Sequence, residues 1–313
     1  MPSSPLNVRL NVTSWWEAGV VFADFEVRDV TVAPGIDLRV RVGGAGPAVI
    51  LLHGHPRTHM TWHAVAPRLA AGGYLVICPD LRGYGHSSKP DPDPDHSTYC
   101  DRAMAGDIVE LASRLGQQTF AVIGHDRGSY VAYRTALDSP EHVTSLAVLD
   151  SVPIVEALER AGAEFAEPWW HWFFLGASPH AERVINADPL AWYRLDAASM
   201  GADNYADMVE AVQQPRTVRA MVEDYRAGLH VDRRHDEEAR AAGRLIECPT
   251  LVAWSRHDDM VDLYGDPAEV WKAWCRRRVH TAVIDSGHHM AEEAPEQLSD
   301  VLLTHLNGYP GSA

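Results

Sequence analysis

Phe120-Ala121-Val122-Ile123-Gly124-His125-Asp126-Arg127-Gly128 sets two glycines around an aspartate, between a short apolar run and a helical pattern from Ser129 to Leu137. The apolar run reads as a buried strand. Small-x-nucleophile-x-small at a strand-to-helix junction is the pattern of a nucleophile elbow, whose glycines permit the sharp turn that presents the central side chain. In ester hydrolysis that centre is Ser; here it is Asp126. A carboxylate nucleophile suits displacement at an sp3 carbon, which gives an alkyl-enzyme ester that water cleaves. The chemistry implied is carbon–halogen cleavage or epoxide opening. A helix-capping Asp in a Gly-rich turn is the bland reading of the same residues.

The neighbouring segments supply a parallel sheet. Ala48–Leu52, Tyr74–Cys78, Thr119–Ile123 and Thr144–Leu149 are short, apolar and strand-like. Helical patterns at Met60–Ala71, Tyr99–Leu115 and Arg127–Leu137 lie between them. Phe25–Val32 and Ile36–Val42 predict an antiparallel hairpin around Pro34-Gly35. After Asp150 the alternation stops, and Ser151 to Gly243 carries helical stretches without a convincing strand. It resumes with Thr250–Trp254, Pro267–Arg276, Val279–Ile284 and Pro295–Leu306. The expectation is an α/β core from 1–150 and 244–313, a mostly parallel eight-stranded sheet, with 151–243 inserted as a helical cap.

Composition narrows the partners. A formal net charge of -16 argues against nucleic acid and anionic membranes, and leaves a small molecule as the expected substrate. Cys78, Cys100, Cys248 and Cys275 have no CxxC spacing, so neither a disulfide framework nor a zinc site is indicated. The first residues lack a secretory pattern and no apolar run is long enough to span a bilayer, which makes a cytoplasmic enzyme the default. The Asn11-Val12-Thr13 sequon reads as chance. No cofactor is implied: there is no Walker lysine, and Gly43-Gly44-Ala45-Gly46 does not fit a dinucleotide fingerprint.

Further motifs fall at strand ends, where open α/β sheets place their sites. His53-Gly54-His55-Pro56 follows one strand, and its backbone, with the Arg127 amide, suits an oxyanion. Asp80-Leu81-Arg82-Gly83-Tyr84-Gly85-His86-Ser87 reads as shaping the core. Near the C-terminal end, Ser286-Gly287-His288-His289-Met290 offers the general base, with His288 preferred over His289 because it directly follows the turn glycine. His53, His55, His288 and His289 lack the nearby carboxylates that a metal site needs, so no metal is expected.

From about Phe25 to Leu306 the chain resembles an α/β-hydrolase of the haloacetate dehalogenase group, close to epoxide hydrolases. The resemblance rests on Gly124–Gly128, Val148-Leu149-Asp150-Ser151-Val152-Pro153, Trp170-His171-Trp172-Phe173-Phe174 and Glu223-Asp224-Tyr225-Arg226-Ala227-Gly228. It implies that His171, Trp172 and Tyr225 donate to a departing halide, although Trp169–Phe174 alone would suit a packed aromatic helix. Trp192 joins them as a substrate-binding candidate. For the triad acid, Asp150 matches the dehalogenase segment, whereas Asp258 and Asp259 stand where epoxide hydrolases keep theirs; Asp150 is preferred. Fluoroacetate dehalogenases hold the substrate carboxylate with two arginines. Arg127 keeps the first, and Tyr130 stands at the second.

The reading that leads is hydrolytic dehalogenation of a 2-haloacid; the alternative is opening of a bulkier, aromatic epoxide by the same Asp/His pair. A sensor on a hydrolase scaffold is a third class. The group also makes a homodimer a possible assembly, with no dimer surface legible in the chain.

Overall fold

A computed structural model of the chain describes residues 22–194 and 196–308; the Asn11 sequon lies outside them. Eight strands among the described residues form one sheet: β1 (Glu26–Ala33), β2 (Ile36–Gly44), β3 (Ala48–Leu52), β4 (Leu75–Pro79), β5 (Phe120–His125), β6 (Val143–Leu149), β7 (Thr250–Ser255) and β8 (Val279–Ile284). Their spatial order is β1-β2-β4-β3-β5-β6-β7-β8. β2 pairs antiparallel with β1 and with β4, and every other pairing is parallel.

Side-chain pattern explains each strand's place. β3 and β5 are buried throughout and, His125 at the end of β5 aside, carry no polar side chain, as strands covered on both faces require. In β2, Ile36, Leu38, Val40 and Val42 are buried while Asp37, Arg39 and Arg41 point outward. That alternation suits a strand near the sheet edge with one wet face. β1, the edge itself, is mostly exposed and carries Glu26, Arg28 and Asp29, charges that discourage pairing with another chain.

Between β6 and β7 every described element is helical, from Ile154–Glu159 through Arg233–Ala241. The helix Ala163–Ala177 contains Pro168, and Trp169 just after it leaves helical geometry (φ -108°, ψ 22°). Proline removes an amide donor and crowds the preceding turn, so a kink falls there. The kink lets consecutive aromatics face different ways. Trp169 donates its Nε1 to Asp259 of the core, His171 reaches the cavity, and Trp172 is buried.

The helical segment is tied to the core by polar contacts. Asn204 donates to Glu292, Thr58 to Asp207 and Tyr84 to Asp224, and His86 pairs with Asp207. Such cross-links fix the roof over the carboxyl ends of the parallel strands, where the site lies.

Candidate active site

Asp126 follows the last residue of β5 and sits at φ 51°, ψ -122°, a region that non-glycine residues rarely occupy. The flanking glycines make the turn possible. A Cβ on Gly124 would lie 2.2 Å from the Gly128 carbonyl oxygen, and one on Gly128 would lie 2.4 Å from that of Leu52. Strand, turn and helix therefore pack too closely for any side chain there. The elbow read from the sequence is present, and it lifts the Asp126 carboxylate into a cavity of about 650 Å³.

The two oxygens of Asp126 have different surroundings. Oδ1 accepts a 2.6 Å hydrogen bond from the His55 backbone amide. Oδ2 lies 3.8 Å from Nε2 of His288. Burial pushes the Asp126 carboxyl upward, but His288 and the Arg127 backbone amide outweigh it and hold the group ionised. Burial lowers His288, yet Asp126 and Asp258 raise it further, so its ring is cationic beside a charged Asp126. His289 also lines the cavity, and burial drives it well below the usual histidine range.

The acid partner differs from the expectation. His288 Nδ1 donates to Asp258 Oδ2 at 2.7 Å, while Asp150 Oδ2 lies 3.7 Å away. Asp150 is instead committed to β7, where it accepts from the Ser255 amide at 2.7 Å and from the Ser255 hydroxyl. Ser255 Oγ also lies 2.7 Å from the Gly287 carbonyl oxygen, so the Asp150–Ser255 pair sits against the loop that carries His288. Burial raises the Asp150 carboxyl to about 7. Asp258 is held below its usual value because the His288 bond and charge overcome burial. Asp259 bonds Trp169 and does not face His288 as a partner.

The expected substrate-binding residues divide into two sets. His55, His171, Trp192 and Tyr225 line the cavity with Asp126, Asp258 and His288. Arg127, Tyr130 and Trp172 are buried outside its lining. Arg127, expected as the carboxylate anchor, is paired with Asp224 through Nε and Nη2, and its buried Nη1 has no hydrogen-bond partner among the described residues. Its Nε donates to Oδ2 at 3.1 Å, and its Nη2 donates to Oδ1 and, at 2.9 Å, to the backbone carbonyl. The rings of Tyr130 and Tyr225 lie 5.0 and 4.8 Å from its Cζ. A guanidinium this buried requires a counter-charge, and Asp224 supplies it. Tyr130 packs edge-on to Trp172 and is not among the residues lining the cavity.

Other readings of the motifs are structural. His53 Nε2 accepts from the Leu81 amide, and Asp80 accepts from the amides of His59 and His86. Sequence reasoning did not single out Trp169, Tyr193 and Arg194 of the cavity wall. They occur in a segment without strand-end motifs, so only the fold brings them in.

A profile described as the alpha/beta hydrolase fold matches residues 47–295. The chain belongs to this family. It is a hydrolase. It is 38% identical over 298 residues to a fluoroacetate dehalogenase from a Burkholderia species, covering 92% of this chain and 95% of that one. A soluble epoxide hydrolase from a Corynebacterium species is 31% identical over 283 residues, covering 86% and 93%. Among solved structures, a Pseudomonas aeruginosa protein provisionally described as an epoxide hydrolase superposes with a TM-score of 0.84 at 37% identity, covering 93% of this chain and 98% of that one. No helix among the described residues of this α/β-hydrolase is long and apolar enough to cross a membrane.

Proposed function

We propose that this hydrolase opens an uncharged epoxide bearing a bulky, aromatic group, through an ester to Asp126. The observation that carries the choice is Arg127: the guanidinium that follows the nucleophile in the chain is paired with Asp224 and lies outside the cavity lining. A substrate carboxylate would not meet Arg127; of the two arginines on the cavity wall, Arg57 is paired with Glu292 and Arg194 ends the cap helix Pro189–Tyr193. The cavity, about 650 Å³ and walled by Trp169, Trp170, Trp192 and Tyr225, also far exceeds a two-carbon acid.

Oδ1 is held by the His55 amide, which leaves Oδ2 as the attacking oxygen. As the epoxide C–O bond breaks, the developing alkoxide takes a proton from Tyr225, which lines the cavity with Asp126. Burial raises Tyr225, so its hydroxyl keeps the hydrogen it donates. Ester formation removes the negative charge that holds His288 protonated. Its affinity for a proton then falls; it releases its proton, which returns to the Tyr225 phenolate, and the neutral ring takes one from the attacking water. The water adds to the Asp126 carbonyl carbon, the His55 and Arg127 amides receive the oxyanion, and collapse releases a diol.

The test is turnover of phenyl glycidyl ether in ¹⁸O-water under single-turnover conditions. Wild type is expected to form diol and to carry the label into the Asp126 carboxylate; Asp126→Asn forms none. Diol without label in Asp126 would overturn the covalent route.

A second reading, displacement of halide from a 2-haloacid, is favoured by the 38% identical dehalogenase relative and by retention of His171, Trp172 and Tyr225. Fluoride or chloride release from the haloacetates, lost in Asp126→Asn, with no diol from epoxides, would select it.

A further inference from the structure

The cap and the core also meet outside the cavity lining, where Asp232 and His235 of the cap reach Cys100 and Asp101 of the core. Cys100 precedes the helix Asp101–Arg114. Asp232 ends a π-helical turn, Gly228–Asp232, that runs into the helix Arg233–Ala241. Turns of that kind recur at functional sites. Three residues apart in one helical run, Asp232 and His235 share a face. One donor atom each from Cys100, Asp232 and His235 lie within 4.8 Å of one another. Some point is therefore no more than about 2.8 Å from all three. Zinc takes such ligands at about 2.0–2.3 Å, so side-chain shifts of less than about 1 Å close the set.

Hydrogen bonding and charge both leave this cluster incomplete. Asp232 Oδ1 accepts from the Asp101 amide at 2.8 Å, but Oδ2 is buried with no partner among the described residues. The same holds for both carboxylate oxygens of Asp101 and for His235 Nδ1. The guanidinium groups around them are engaged elsewhere: Arg102 bonds Asp138, Arg134 bonds Asp236 and Arg127 bonds Asp224. Two buried carboxylates thus lack a cation of their own, a costly arrangement unless one is supplied. Burial and the charges of Arg102 and Arg134 keep His235 neutral, so one ring nitrogen carries a lone pair. A sulfur, a ring nitrogen and a carboxylate are zinc's ligand types, whereas calcium and magnesium take oxygen.

We propose that Cys100, Asp232 and His235 bind a zinc ion that clips the cap to the core. Binding moves the Cys100 thiol proton to solvent, and thiolate and carboxylate then match the charge of the ion. The fourth position falls to water or, after a side-chain rotation, to Asp101. The set is divided between core and cap, so no local spacing announces it. It stands independently of the epoxide reading.

The test is titration of the full chain, first stripped with a chelator, with cobalt and with zinc. Cobalt is the visible probe, because thiolate ligation gives a charge-transfer band that nitrogen and oxygen ligands alone do not. Wild type is expected to bind one cobalt per chain with that band, and zinc should raise its melting temperature with concentration. Cys100→Ser should lose the band, while Cys248→Ser, a buried cysteine outside the cluster, should keep it. His235→Gln should weaken zinc binding by at least the roughly 10–100-fold that loss of a supporting group costs. No thiolate band in wild type, or a band unchanged in Cys100→Ser, overturns the site. If Cys100→Ser does not fold, His235→Gln decides alone, since its side chain is partly exposed and an unaltered zinc affinity there rejects the site.

Discussion

At the residue scale, the division of labour around His288 follows from where charge is held. Asp258 is bonded to Nδ1 at 2.7 Å, whereas Asp150 is spent on Ser255. Replacing Asp258 by Asn removes the group that orients and balances the imidazolium, with an expected loss in kcat on the order of 10²–10⁴. Asp150→Asn can still accept from Ser255, so turnover should stay within roughly tenfold of wild type. Steady-state kinetics of both variants checks the assignment, and the reverse order of losses would return the role to Asp150. The second residue-scale prediction concerns protonation. Asp126 and Asp258 hold His288 above its usual range, so that range should fall when Asp126→Asn removes one charge. In an NMR titration the His288 resonances should change at lower pH in the variant; an unchanged midpoint would remove the charge-release step from the mechanism. That Asp126 and His288 meet at one cavity was legible in the sequence because each sits in a glycine turn after a core strand. Which carboxylate lies nearer His288 was not. Asp150 and Asp258 both follow core strands, and only the path of the loop after β8 places one of them 1 Å nearer the ring (3.7 against 2.7 Å).

At the scale of elements, the cap and the elbow helix are joined through Arg127 and Asp224. Both side chains are almost fully buried, and Asp224 also accepts from the Tyr84 hydroxyl. Removing one partner strands the other charge. Arg127→Met or Asp224→Asn should therefore cost about 3–5 kcal/mol of stability. Urea unfolding measures it; a loss below about 1 kcal/mol would mean that the pair is solvated as a surface bridge is. The same pair explains why the sequence misdirected the reading of Arg127. Its partner stands 97 residues away, and nothing in the local motif announces that the charge is already matched. The core strands, by contrast, were readable from local apolar runs, because burial on both faces leaves a local signature. Within the cap, the Trp170–Phe174 stretch showed its aromatic character but not its kink. That bend sends His171 to the cavity and Trp172 into the interior, dividing residues the resemblance had grouped.

For the whole molecule, the question is how a core and a helical roof stay registered around a cavity that must admit substrate. Several of the bridges between them involve titratable groups, and His86–Asp207 is the one whose behaviour with pH has a defined sign. The hydrogen bond to Asp207 is the largest influence on His86, raising it above its ordinary value of 6.5 despite partial burial, and Asp80 and Glu210 add to that. A histidine raised in the folded state stabilises fully below its unfolded value, and that contribution disappears as pH rises through the folded one. The His86 bridge should accordingly hold the roof most firmly in mild acid and weaken as pH climbs above about 6.5. Thermal melts of wild type and His86→Asn across that window provide the measurement. Wild type should exceed the variant most at the acidic end, with the difference shrinking as pH rises. A constant difference would show that His86 contributes packing alone, and a growing one would reverse the sign and remove the Asp207 bridge from the account of how the cap is held. If the roof loosens in alkali while the chemistry at His288 requires a neutral imidazole, product release and ester hydrolysis both quicken as pH rises. The acidic limb of the kcat profile should then become shallower in His86→Asn, because only its ester-hydrolysis component would remain.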